Sequence, residues 1–300
     1  MRCLLVSALI AISGCALHRA PTRYAYGDAR DYYTSDKLQA ITGEQIERGQ
    51  PRPVLDGVGW VLGIPSKIIL WDRRVDNHSV SPETEEAIAE YLAVNDLTSV
   101  KVRLNQYAPG DEWRRLVANK AVGPGWRYTL GIVDWLGDTV FPGRLFGGDH
   151  YNPYTNTVNI YSDVPAIGLH EAGHSKDWAR RKYKGTYAAV YLLPGAPLWH
   201  EGVASRDALA YVEANGSVED QREAYRLLYP AYGTYVGSAV SDFVPGLGII
   251  PYAGAVVVGH VAGRVQGHIV ASETPAEDEQ PAPQETNQGS VTGGILRSDP

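Results

Sequence analysis

Apolar and polar positions change their period several times along the chain, and each change marks a different element. From Ser81 the run Ser-Pro-Glu-Thr-Glu-Glu opens a helix, with Ser81 as N-cap, Pro82 at the first helical position and acids facing the positive dipole end. That helix runs to about Val94. Val100 to Tyr107 then alternates apolar with polar, the two-residue period of a half-buried strand. Asp111 to Asn119 reads as helix again. Thr155 to Tyr161 is a short β-prone run after a turn, and its asparagines weaken a central position, so an edge strand is expected. Gly57 to Trp71 is apolar enough to pack on the body, and Trp199 to Val212 looks helical after the break at Pro194 to Pro197. The mixture of elements points to an α+β fold.

The two ends do not belong to that core. Arg2, the apolar stretch Leu4 to Ile12 and the small residues before Cys15 have the order of a signal peptide, too short to span a bilayer as a mature helix. Ile12-Ser13-Gly14-Cys15 resembles the lipobox of bacterial lipoproteins, which implies acylation (including a palmitate chain) at Cys15. In that resemblance Ala16 implies an outer-membrane lipoprotein facing the periplasm, with the membrane as a partner through the lipid anchor. Residues 15–54 then form a lipidated tether with a helix over Ser35 to Glu47, and residues 272–300, holding six acids and one base, form a disordered acidic tail. Between them lie a folded domain over 55–231 and a glycine-rich apolar helical segment over 232–271.

Within that segment, Phe243 to Gly263 contains no Asp, Glu, Lys or Arg over 21 residues, the length of a membrane span. Pro245, Pro251 and five glycines argue against one clean transmembrane helix. Ala255, Gly259, Gly263 and Gly267 recur every fourth position and make a smooth face for close helix packing, inside the domain, at a membrane or in self-association.

Cysteine and charge remove several function classes. The two cysteines are Cys3 and Cys15, so the body has neither a thiol nucleophile, nor thiolate metal ligands, nor a disulfide. The net charge is −7, and without leader and tail the acids and bases nearly balance, which leaves no basic stripe for nucleic acid.

The chemistry concentrates at His170-Glu171-Ala172-Gly173-His174. On a helix, residues four apart share a face, so His170 and His174 can converge on one metal while Glu171 stays close enough to act as a base. Zinc lowers the pKa of water toward neutrality, and a neighbouring carboxylate then accepts the proton during attack on a carbonyl. A catalytic zinc needs a third protein ligand. Glu201, 27 positions after His174 on the second helix, is the leading candidate, with Asp177 and His200 as alternatives.

Over residues 149–213 this pattern resembles the gluzincin metallopeptidases, in which HExxH is followed by a glutamate on a separate helix. The resemblance implies a zincin-like domain, an edge strand preceding the HExxH helix, zinc held by His170, His174 and Glu201, Glu171 as general base, and a peptide or protein substrate. Gluzincins commonly carry an aspartate four residues after the third ligand to orient a histidine. Here that position is Ser205, which leaves Ser205 or Asp177 as the outer partner. Tyr229, Tyr232, Tyr235 and His260 are available to stabilise an oxyanion. A non-catalytic envelope lipoprotein and a zinc amidase acting on cell-wall peptides remain as other readings.

Overall fold

The computed structural model describes residues 44–244, 246 and 249–273. The leader, Cys15, Ala16 and the tail from 274 onward lie outside the described residues. The described chain is α+β. Its four strands are β1 (Ile46–Arg48), β2 (Lys101–Leu104), β3 (His150–Asn152) and β4 (Thr157–Ile160), ordered β1-β2-β4-β3. β1 and β2, and β2 and β4, are parallel, whereas β3 returns antiparallel to β4 with His150 opposite Asn159. The helices are α1 (Pro53–Leu62), α2 (Ile64–Leu70), α3 (Pro82–Val94), α4 (Pro109–Ala118), α5 (Pro124–Arg127), α6 (Leu130–Val140), α7 (Gly143–Phe146), α8 (Pro165–Ala179), α9 (Lys184–Val190), α10 (Ala196–Asn215), α11 (Val218–Phe243) and α12 (Ile250–Glu273).

One face of the sheet carries Val102, Leu104, Val158 and Ile160 into the main core, where they meet Ile88 and Leu92 of α3 and Leu169 of α8. α3 begins as its sequence dictates, with the Ser81 hydroxyl accepting from the Thr84 N–H at 3.3 Å. The other face is polar yet buried. β2 is therefore not half-exposed, as its alternation suggests, but covered on both sides. Lys101 is paired with Glu47, and Arg103 reaches Glu47 at 3.0 Å and Glu112 of α4 at 2.6 Å. The polar positions of the alternation face a layer of carboxylates instead of water.

Three further expectations change. Ile46–Arg48, expected within a tether and a helix, is a strand paired with β2. β4 is interior, and the edge is the short β3 before it. Of the two asparagines that suggested an edge, Asn159 lies inside β4 opposite His150, while Asn156 adopts φ 56 in the turn, where Asn152 Oδ1 accepts from the Tyr154 and Thr155 N–H groups. The boundary at 231/232 falls inside α11, which continues through Pro230 to Phe243.

α11 and α12 pack along their lengths as an antiparallel pair, and the small residues are the reason. A Cβ on Gly259 would stand 2.6 Å from the Tyr229 carbonyl oxygen and from Pro230 Cα, and one on Gly233 2.6 Å from the Ala255 oxygen. The four-residue repeat is thus spent on backbone approach inside the fold. Among the described residues no single helix is long and apolar enough to cross a membrane.

Candidate metal centre

α8 is the central helix, and nearly every residue from Ala166 to Trp178 is buried. It follows β4 directly, so the sheet sets its position. α10 lies across it, and the crossing is close because a side chain is missing: a Cβ on Gly173 would come within 3.1 Å of the Ala204 carbonyl oxygen. A second clamp joins the same helices where Lys176 donates to Asp207 at 2.7 Å and Tyr91 of α3 donates to the same carboxylate. Gly195, at φ 79, turns the chain into α10 and sets Glu201 on its first turns, facing α8.

This packing gathers the three leading ligand candidates. His170 Nε2 and His174 Nε2 are 3.2 Å apart, and Glu201 Oε2 lies 3.1 Å from the first and 3.3 Å from the second. Four-coordinate zinc with ligand distances of about 2.0–2.1 Å holds neighbouring ligand atoms about 3.3–3.4 Å apart. The triangle matches one face of such a tetrahedron, and its two imidazole nitrogens and one carboxylate oxygen suit a divalent cation. The group is largely buried and could bind a metal.

The surrounding groups fix its protonation and orientation. Ser205 Oγ lies 3.2 Å from His170 Nδ1, so an Nδ1–H donated to the hydroxyl leaves Nε2 free to ligate. Glu201 Oε1 accepts from Tyr191 OH at 2.8 Å, which turns Oε2 toward the histidines. Burial pushes the Glu201 carboxyl up, but the His174 and His170 imidazoles outweigh it and hold it well below the carboxylate range. Glu171, 3.9 Å from His170 Nε2, is pushed up to about 7 by burial, against the pull of His170 and with the added repulsion of Glu201. Burial, reinforced by Glu201, also raises the Tyr191 and Tyr235 hydroxyls, keeping both as donors.

A cleft of about 390 Å³ opens onto Glu171, His174 and Glu201. Leu130, Val133, Tyr154, Trp178 and Leu192 give it apolar walls, and Asp134, His150 and His200 add polar ones. Burial opposes charge on His150, but the Asp138 carboxylate and the Gly148 carbonyl override it, and its pKa rises to about 10.

Other sequence candidates fall elsewhere. Asp177 points away from the histidines and is held by Arg181 and the Tyr187 hydroxyl, so it is neither a ligand nor an orienting group in this arrangement. The i,i+4 arginine and the aromatic of α9 capture it. His200 lines the cleft outside the triangle, its ring tilted against Tyr187 with centroids 4.2 Å apart. Of the oxyanion candidates only Tyr235 lines the cleft; Tyr232 donates to the Leu198 oxygen and His260 stacks on Trp71. Sequence reasoning missed Tyr191, which carried no motif, and His150, whose strand was not separated from the turn.

Compared with known proteins, the chain matches no protein-family model, no curated protein and no solved structure.

Proposed function

We propose that the protein is a zinc-dependent hydrolase of peptide bonds, built on a zincin-like domain and exported as a lipoprotein acylated at Cys15. The observation that carries this reading is the 3.1–3.3 Å triangle of His170 Nε2, His174 Nε2 and Glu201 Oε2 beside the Glu171 carboxylate. Zinc held by these three residues would supply Lewis acidity toward a carbonyl and acidify water in the cleft. The protein groups do the rest. Glu171, largely shielded from bulk water, accepts the proton of the attacking water and returns it to the leaving amine. Tyr235, a protonated phenol on the cleft wall, would donate to the oxygen on which charge develops. The outer strand of the described sheet, β3, and the apolar wall would hold an extended peptide alongside.

The test is Glu171→Gln. The variant keeps its metal and its melting temperature and loses hydrolysis of unfolded protein by about 10²–10⁴-fold, the usual size of a general-base contribution. Cleavage at the wild-type rate in Glu171→Gln would discard the peptidase reading. Cell-wall peptides offered beside unfolded protein distinguish an amidase, which shares the chemistry but not the substrate.

A further inference from the structure

α12 turns an unusual face outward. Val257, Val258, Val261 and Val265 follow one another at helical spacing and are 55–66% exposed, on the side opposite Val256, Gly259 and Gly263, which are buried against α11. A solvated helix normally shows charge there. α1 and α2 present a second such face through Val54, 84% exposed, Val58, Val61 and Ile68. The two faces meet where the Trp71 ring stacks on His260 with centroids 4.0 Å apart, and where His260 Nε2 donates to the Ile69 oxygen at 2.8 Å. Trp71 remains exposed at this junction, with the Arg264 guanidinium 4.7 Å from its ring.

We infer that this joined face of α1, α2 and α12 seats the folded domain on the surface of a bilayer containing anionic lipid. Three features select that occupant. α1 and α2 together are apolar enough for a membrane span but are bent by 50°, which suits a pair lying in the interface and not crossing it. Exposed arginines on or next to these elements are Arg52, Arg73 and Arg264, while Asp56 and Asp72 are held by Arg144 and Arg74. Anionic headgroups complement these guanidinium groups. Among the described residues β1 comes directly before α1. Cys15 lies 29 residues before Glu44, so an acyl anchor there keeps this side of the domain within about 100 Å of the membrane at full extension. Interfacial burial of Val, Ile and Trp side chains then supplies the attraction, and the arginines the orientation.

The inference does not rest on the metal reading, and its test removes the anchor. The probe is the full-length chain with Leu5→Glu, Ile10→Glu and Cys15→Ser, which abolish the leader's apolarity and the acylation site. It is mixed with vesicles of phosphatidylethanolamine and phosphatidylglycerol. The chain is expected to float with these vesicles and at least tenfold less with phosphatidylcholine alone. Adding Val258→Glu with Val261→Glu, or separately Ile68→Glu, lowers flotation at least tenfold without moving the melting temperature, since all three positions are exposed. Absence of flotation, or flotation unchanged in both variants, overturns the proposal. A concentration-dependent dimer that dissociates in the same variants, without vesicle binding, also overturns it and assigns the face to a second copy.

Discussion

Ser205 occupies the position where an aspartate would be expected, and its hydroxyl contacts His170 Nδ1 at 3.2 Å. A hydroxyl can fix the tautomer but adds no charge, so Ser205→Ala should weaken metal binding by about 10–100-fold, the usual cost of losing an outer partner. Competitive titration against a chelating dye checks this. Asp134 gives a pH effect of defined sign. Burial, aided by Asp138, raises its carboxyl to about 7, well above the unfolded value near 3.8. The folded state therefore keeps a proton that the unfolded chain releases, and stability is lost as pH rises between these values. Asp134→Asn should raise the melting temperature at pH 8 and change it little near pH 4; an equal effect at both would show that the carboxyl is not perturbed. The pairing of His170 with His174 was legible because residues four apart share a helix face, whereas Glu201 was legible only as one of three candidates until the crossing of α8 and α10 brought it to them. Tyr191 was not, since its partner Glu201 is set only by the turn at Gly195.

At the level of elements, local rules held where local forces dominate. The Ser81 cap, Pro82 and the first-turn acids of α3 act within a few residues, and that helix appears as expected. The strands show the opposite. Whether β4 is an edge depends on β3, a three-residue strand with no pattern of its own, and whether β2 meets water depends on Glu47 and Glu112 from other elements. The glycine repeat of α12 was visible, but its partner was not. Gly259→Val should force α11 and α12 apart against the Tyr229 and Pro230 backbone and cost about 1–3 kcal/mol, read from denaturant unfolding. A neutral result would mean that the two helices are not in contact there.

For the whole molecule, the main core joins the sheet, α3, α8, α10 and α11, and the candidate metal centre lies where α8 crosses α10. Because α8 and α10 each supply ligands, metal should stabilise the entire fold. At a free zinc concentration a thousandfold above Kd, linkage gives about 4.1 kcal/mol, a rise of about 8–16 °C for a domain of this size. Chelation reverses it.

The most direct measurement is zinc binding to the purified chain by calorimetry, with His170→Ala and Glu201→Gln alongside. One tightly bound zinc per chain, weakened at least a hundredfold in each variant while the fold persists, is the expected result. Wild-type protein that takes up no zinc, or variants that bind it as tightly, would contradict the metal centre and with it the hydrolase.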